Sequence, residues 1–270
     1  MKKRRYLWIF LLCLLYLAVA DMPVIFSDVS AQDNGTSVDI LLRRADECMF
    51  DFKYGEAKRY YEQALKAAPD DYEVLWRLSR FYTSYGEMAE KKREKKERWK
   101  KGQEYAQRAA EINPEGADAY LYLAASMGKI TMYSSPKEKV KYVWKIKEAV
   151  EKAIELDPTQ QKSYVVLGVW HRKVATASSI ERSLAKMFFG RLPEGSLEES
   201  LRLLLKARDM GGNTVRNFYE LGLTYEELNR PDEAKEVFLE ALKAETVIPG
   251  DDDKKKKIEK ILSKTKYKKR

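Results

Sequence analysis

The chain has 270 residues, of which 44% are hydrophobic, and it carries two cysteines, one histidine and a formal net charge of +9. One histidine excludes a metal site with two histidine ligands, and the lack of Gly-rich phosphate, Gly-x-Ser-x-Gly and Cys-x-x-Cys motifs argues against an enzyme, a cofactor or a bound metal. The positive charge lies at the two ends, with +2 in residues 1–31 and +9 in residues 254–270; the intervening residues carry −2, which argues against a nucleic-acid groove.

The N-terminal segment, residues 1–31, has the pattern of an export signal. The basic segment Lys2–Arg5 precedes an uninterrupted apolar run, Tyr6–Ala20. This run is shorter than the about 20 residues that a helix needs to span a membrane. We therefore predict a signal peptide over residues 1–31, cleaved after Ala31, with an uncleaved membrane anchor as the alternative. In either case we expect the rest of the chain to be exported, periplasmic or secreted, or to be held at the membrane.

Residues 38–246 contain five copies of a helix-pair pattern. Each copy places large and small residues on a first helix and alanine or an aromatic residue on a second. In the last copy these residues are Phe218, Leu221, Gly222, Tyr225, Ala234, Phe238 and Ala241. This order is typical of tetratricopeptide repeats. The predicted fold is therefore all-α, a tetratricopeptide-like solenoid of about five helix pairs.

The three middle repeats are longer than a standard tetratricopeptide repeat. Their boundaries are marked by Pro69, Pro114, Pro158 and Gly212. Compared with the usual length of about 34 residues, this spacing leaves insertions of about 11, 10 and 20 positions. Each insertion falls between the small residue of the first helix and the alanine of the second. Such additions are expected to lengthen helices or to form loops on one side of the array.

The sequences of the first two insertions predict helices. Lys91–Lys101 is almost entirely charged and has no helix breaker, so it predicts a long, solvated second helix with Trp99 as its packing residue. In Ile130–Tyr142, Ser135 is expected to be the N-cap of a helix that Pro136 opens.

The third insertion, Ser178–Gly195, is the largest and contains a cluster of apolar residues. These are Leu184, Met187, Phe188 and Phe189. We expect them to pack over the edge of the array. The alternative is an exposed surface that contacts a ligand or a membrane.

Cys48 and His171 each stand where a repeat places tyrosine on its first helix. Both are expected to be core residues, and the polar atoms of the His171 ring are expected to have partners. Because Cys13 lies in the predicted signal, an exported chain would retain Cys48 alone, and no intramolecular disulfide is expected.

Residues 247–270 are assigned to a basic C-terminal tail that follows the repeat domain. Asp251–Asp253 is expected to form a solvated turn, and Lys254–Arg270 a solvated charged run. For the lysine-rich run, the alternative is attraction to an anionic membrane surface.

One stretch of the fourth repeat is more specific than the general pattern. It comprises Leu167–Trp170, Ile180–Arg182, Phe188–Gly190 and Pro193. Together with the insertion positions, it resembles the helical-repeat domain of the regulator of microtubule dynamics family over about residues 39–246. The resemblance implies an irregular right-handed tetratricopeptide-like domain with no catalytic residues.

Some eukaryotic members of that family are membrane-tethered and are associated with microtubules, organelle contacts and phospholipid binding. The predicted leader of this chain differs from theirs. Because an exported protein does not meet tubulin, we expect the fold to carry over but not microtubule binding.

The first helices of such solenoids line a concave face, and their non-core positions point into it. Eight such residues form the predicted groove: Trp76, Arg80, Lys129, Lys162, Arg172, Lys173, Arg216 and Tyr219. A groove that mixes apolar and cationic groups suits an acidic peptide, or an anionic lipid headgroup with an apolar tail. The alternative is that these are ordinary solvated helix charges.

We therefore predict a non-catalytic interaction scaffold of the cell envelope or secretory space. Its concave groove would bind a protein or peptide partner, and its basic tail would hold it near an anionic surface. One alternative is a module that binds or transfers a lipid or another hydrophobic ligand near a membrane. Another is a structural envelope component that associates with itself. No cofactor and no nucleic-acid partner are expected.

Overall fold

The computed structural model describes residues 37–264 and Tyr267. These residues form twelve α-helices, joined by short turns and without a strand in the described part of the chain. Ten of them make five consecutive pairs: α1 (Ser37–Phe50) with α2 (Tyr54–Ala67), α3 (Tyr72–Tyr85) with α4 (Lys92–Ile112), α5 (Ala117–Thr131) with α6 (Pro136–Leu156), α7 (Gln161–Ala175) with α9 (Leu197–Asp209), and α10 (Val215–Glu227) with α11 (Pro231–Lys243). The prediction of an all-α array of about five helix pairs is confirmed.

Two further helices lie outside the pairs, α8 (Ser179–Phe189) and α12 (Asp251–Leu262). None of the twelve described helices is long and apolar enough to cross a membrane. The signal or anchor predicted for residues 1–31 lies outside the described residues.

Glycines set the closest approach of the two helices within a pair. A Cβ on Gly168 of α7 would lie 2.8 Å from Cγ of Leu204 in α9. A Cβ on Gly222 of α10 would lie 2.3 Å from the ring of Phe238 in α11. Such distances are far inside van der Waals contact, so a side chain at either position would push the helices apart. The Leu-Gly element of the pattern therefore has a direct packing role.

The first helices of consecutive pairs contact one another in series, α1 with α3, α3 with α5, α5 with α7, and α7 with α10. The buried apolar residues form three clusters along the array rather than a single core. This is the expected arrangement when each repeat packs only on its neighbours.

The predictions for the first two insertions are confirmed. The first belongs to the 21-residue helix α4, in which Trp99 is 1% exposed and donates a hydrogen bond from Nε1 to the carbonyl oxygen of Thr83 at 3.1 Å. In the second, Ser135 caps α6 and Pro136 occupies its first turn. The backbone N–H of Ser135 in turn donates to the carboxylate of Glu138 at 3.0 Å, which completes a capping box.

The expectation that the third insertion covers the array is wrong for most of its apolar residues. The insertion forms α8, which packs on α6 and buries Ala185. Met187, Phe188 and Phe189 remain exposed. The physical reason is the narrow contact: α8 has only 11 residues and meets its neighbour along one side.

The expectation of a solvated turn and charged run is wrong for Asp251 and Lys254, which are buried in α12. Asp252, Asp253, Lys256, Lys257 and Lys260 are exposed. This helix contacts α10 and α11, and Ile258 is fully buried. Asp251 is buried as well and accepts hydrogen bonds from the backbone N–H groups of Val247 and Ile248, at 3.3 and 3.2 Å. The acidic residues occupy the first helical turn, where negative charge is favourable.

Cys48 and His171 are both half-buried rather than fully buried. Cys48 packs against the N-terminal cluster, and burial raises the pKa of its thiol. The ring of His171 contacts the Trp170 ring edge-on, with 4.9 Å between centroids. Its Nδ1 is buried without a hydrogen-bond partner among the described residues, so the expectation of a fully partnered ring is wrong.

Candidate functional site

A cavity of about 670 Å³ lies among α5, α6, α7, α10 and the start of α12. Its volume is typical of sites that hold small organic ligands. The short helical turn Gly86–Met88, the start of α4 and the segment after α8 close its edges through Glu87, Trp99 and Leu192.

One wall of the cavity is apolar. It is built from side chains of α6, α7 and α10: Val140, Val143, Ile146, Val166, Val169, Trp170, Val174, Tyr219 and Leu223. The indole N–H of Trp170 donates to the carbonyl oxygen of Val143 at 2.8 Å, which fixes the ring between α6 and α7. This wall can accept an apolar ligand surface without leaving a polar group unpaired.

The cavity is also lined by cations, and four of them have carboxylate partners. Lys254 pairs with Asp251 at 3.4 Å. Lys129 pairs with Glu87, and Arg172 pairs with Glu220. Lys139 pairs with Glu181 at 3.0 Å. Lys129 and Arg172 are buried, only 6% and 4% exposed, so each needs its partner to offset the loss of hydration.

The other four lining cations lack such a partner in the described part of the chain. Lys95 donates instead to the carbonyl oxygen of Glu87 at 3.0 Å. Within residues 37–264, no carboxylate lies within 4.0 Å of the charged groups of Lys173, Arg216 or Lys257. The cavity as a whole is lined by eight Lys and Arg side chains and four Asp and Glu side chains. It therefore has an excess of positive charge in a partly desolvated space.

The pKa shifts of the lining lysines are consistent with this excess of positive charge. Burial lowers the pKa of Lys129 well below its ordinary value, and the nearby Arg216 and Lys254 lower it further. Burial and Arg216 also lower the pKa of Lys254. For Lys173, the pKa is lowered by burial and by Arg172. An anion placed among these groups would relieve their mutual repulsion.

The structure brings together five of the eight residues predicted to line a groove. Lys129, Arg172, Lys173, Arg216 and Tyr219 all line the cavity. The first four supply positive charge, and Tyr219 belongs to the apolar wall. Their common position follows from the repeat register, because they occupy the same side of successive first helices.

The other three predicted residues lie elsewhere. The Trp76 ring stacks on Tyr122, with 5.9 Å between centroids. Arg80 pairs with Asp46 of α1, in a partly buried contact that ties the first two repeats together. Lys162 is exposed near the start of α7 and does not line the cavity.

Several lining residues were missed by the sequence analysis. Lys254 and Lys257 come from α12, which had been assigned to a solvated tail, and Glu87 comes from a turn with no distinctive pattern. A usable signal was present for α12: Ile258, Ile261 and Leu262 recur at helical spacing among the lysines. In the described part of the chain, no group of three or more His, Cys, Asp or Glu side chains is placed to hold a metal ion.

Curated relatives of the chain share one description. Regulator of microtubule dynamics protein 1 of Mus musculus is 30% identical over 208 residues, which is 76% of this chain and 67% of that protein. Protein 1 of Bos taurus is 31% identical, over 71% and 61% of the two chains. Protein 2 of Bos taurus is 26% identical, over 83% and 55%. The chain thus spans between about half and two thirds of the length of these relatives.

The fold also matches a solved structure. The thermophilic tetratricopeptide protein TTC0263 of Thermus thermophilus superposes with a TM-score of 0.61 at 18% identity, covering 84% of this chain and 99% of that one. Arrays of this kind are generally non-catalytic scaffolds for interactions. Residues 41–267 match the profile of the family described as Regulator of microtubule dynamics protein 1-3. The protein therefore belongs to the regulator of microtubule dynamics family.

Proposed function

We propose that the chain is a non-catalytic binding module whose cavity takes an anionic amphiphile, such as an acidic lipid. The observation that carries this proposal is the joining of an apolar wall to three cations without carboxylate partners, Lys173, Arg216 and Lys257. The acyl chain would lie on the wall formed by α6, α7 and α10. The acidic headgroup would lie at the cations.

The two halves of such a ligand would bind for different reasons. Each buried methylene group contributes about 0.8 kcal/mol through the hydrophobic effect. The headgroup would gain charge-assisted hydrogen bonds, which are stronger than those between neutral groups. Arg172 supports this placement, since its buried Nε has no hydrogen-bond partner among residues 37–264 and Tyr267.

Native mass spectrometry of protein purified without detergent tests the proposal. We expect an acidic lipid to co-purify with the wild-type chain. Reversing two lining charges, in the variant Lys173→Glu/Lys257→Glu, is expected to lower affinity for that lipid at least tenfold, or about 1.4 kcal/mol. Both residues keep part of their surface in solvent and have no carboxylate partner among the described residues, so the fold should tolerate the change.

The matched control is Lys256→Glu/Lys260→Glu, which makes the same change of charge at exposed positions that do not line the cavity. Equal loss of lipid from both variants would show that only the net charge matters. A wild-type chain that is free of lipid and does not take up acidic lipid on addition would refute the proposal.

Ligand affinity is also expected to fall as the pH rises. The pKa values of Lys173 and Lys254 are lowered by burial and by the neighbouring Arg172 and Arg216. A bound anion favours the protonated ammonium groups and so raises both pKa values. Between the lowered values and the ordinary lysine pKa of about 10.4, binding therefore takes up protons, and affinity decreases with increasing pH.

The measurement is a titration with labelled phosphatidylglycerol from neutral to alkaline pH, because the charge of a phosphodiester is constant over that range. Phosphatidylcholine, which has no net charge, serves as the control and should depend less on pH. An affinity for phosphatidylglycerol that stays constant up to the ordinary pKa of lysine would contradict the role of these lysines.

A protein or peptide partner is the second candidate, because the tetratricopeptide-like fold generally serves protein interactions. The cavity would then receive an acidic segment with an apolar residue. The same variant distinguishes the two: Lys173→Glu/Lys257→Glu would release a co-purified polypeptide instead of a lipid. Under either candidate, the leader predicted for residues 1–31 is proposed to direct the chain out of the cytoplasm or to the membrane.

A further inference from the structure

The helix α8 presents an unpartnered apolar stripe to solvent. Ile180, Leu184 and Met187 recur at i, i+4 and i+7, which places them on one side of the helix. Ile180 is 61% exposed and Met187 is 72% exposed. At the end of the helix, Phe188 and Phe189 are 48% and 45% exposed. Such a concentration of exposed apolar side chains marks an interaction surface.

The rest of α8 holds the helix firmly in place. Ala185 is buried against the array, and Glu181 pairs with Lys139 of α6 at 3.0 Å. Ser178 and Glu181 form a capping box at the start of the helix. Arg182 donates to the carbonyl oxygen of Ala175 at 2.8 Å. With its other side fixed in this way, α8 displays the stripe on a rigid support.

Cations surround the stripe. Lys186 and Arg191 are exposed, and no carboxylate in the described part of the chain lies within 4.0 Å of either. The Nζ of Lys137 lies 5.1 Å from the centroid of the Phe188 ring. Over residues 179–191 there are three cations and one carboxylate, and that carboxylate is already paired with Lys139. The surface therefore combines apolar and positive groups.

We propose that α8 docks the array on an anionic lipid bilayer. The stripe would enter the boundary between headgroups and acyl chains, and the flanking cations would contact acidic headgroups. A bilayer suits this surface because amphipathic helices with aromatic residues and flanking Lys and Arg lie in the membrane interface. Anionic lipids also attract such cations over several ångströms.

Docking by α8 would also set the position of the ligand cavity. Ala177 precedes α8 and Leu192 follows it, and both residues line the cavity. A bilayer in contact with α8 would thus lie next to the cavity edge. The docking surface itself is separate from the cavity, so the two proposals can fail independently.

A fluorescent label that responds to polarity tests the docking. In the full chain with Cys13→Ala and Cys48→Ala, an NBD group is attached at Met187→Cys. We expect a severalfold rise in emission and a blue shift when vesicles of phosphatidylcholine and phosphatidylglycerol are added. Vesicles of phosphatidylcholine alone should give a much smaller response. A matched label at Phe50→Cys, on the 67% exposed Phe50 of α1, should not respond.

The Phe50 control separates docking by α8 from attachment through residues 1–31, because attachment by the leader alone gives no reason for a larger response at position 187 than at position 50. Lys186→Glu/Arg191→Glu is expected to reduce the response at position 187 about tenfold, and added salt should reduce it in the wild type. An unchanged signal at position 187 on vesicles that bind the chain would overturn the proposal. A response of equal size at position 50, or on neutral vesicles, would overturn it as well.

Discussion

Replacing Trp99 with alanine is expected to lower the free energy of unfolding by about 3–5 kcal/mol. The side chain is only 1% exposed, although it lies in a segment that is otherwise almost all charged. Its ring stacks on Tyr133 at 5.8 Å with an interplanar angle of 4°, and its Nε1 donates to the Thr83 carbonyl oxygen. Alanine would remove both contacts and leave a void between α3 and α4. Urea unfolding followed by circular dichroism measures the loss.

Trp144→Ala is the matched control, because Trp144 also lies on the second helix of a pair but is only half-buried. Trp144→Ala should lower the free energy of unfolding clearly less than Trp99→Ala does. Equal losses at the two positions would mean that Trp99 is not a main packing residue of the first insertion.

Replacing Arg172 with alanine is expected to lower the free energy of unfolding by about 3–5 kcal/mol, because the carboxylate of Glu220 would remain buried without its partner. The side chains of Arg172 and Glu220 are 4% and 12% exposed. By contrast, Arg202→Ala removes a more exposed ion pair with Glu199 and should cost at most about 1 kcal/mol.

A double variant separates the pair from the packing around it. Arg172→Met/Glu220→Met removes both charges and should recover most of the stability that Arg172→Ala loses. If the double variant is as unstable as the single one, the loss comes from packing of the arginine stem. In both cases a change at Arg172 lowers the stability of the fold, which would complicate a measurement of ligand binding. Variants at Lys173 and Lys257 are therefore the better tests of the cavity.

Features fixed by neighbouring residues could be predicted from the sequence. The cap at Ser135 depends on Pro136 and Glu138, and the close contact at Gly222 belongs to the repeat pattern. The register also predicted that Lys129 and Arg172 share one side of their helices, and both line the cavity.

Features fixed by distant residues could not be predicted. Lys129 forms an ion pair with Glu87, which is 42 residues away in the sequence, and Arg172 forms one with Glu220, which is 48 residues away. Both pairs depend on how successive repeats turn relative to one another, which no single repeat specifies. This is why the sequence identified cations on the groove side without showing which of them are already neutralised.

The error over α12 has a different cause. Ten basic residues lie between Lys254 and Arg270, and this charge concealed a short apolar pattern. Ile258 is fully buried, and Ile261 and Leu262 pack against the same cluster, so apolar contacts hold the helix against α10 and α11. Long side chains allow lysines such as Lys256 and Lys260 to remain in water, whereas Lys254 is buried and donates to the carbonyl oxygen of Gly250 at 3.0 Å.

The position of α12 limits how copies of this protein could assemble. In a helical-repeat array, the last pair presents an apolar side on which a further repeat could stack. Here Ile258 occupies that side, and the outer surface of α12 carries the exposed Asp252, Lys256 and Lys260. Growth of a filament by stacking through this end would first require α12 to be displaced. At this end the array is therefore covered by a helix whose outer surface is polar, and stacking of another copy on the last pair is blocked.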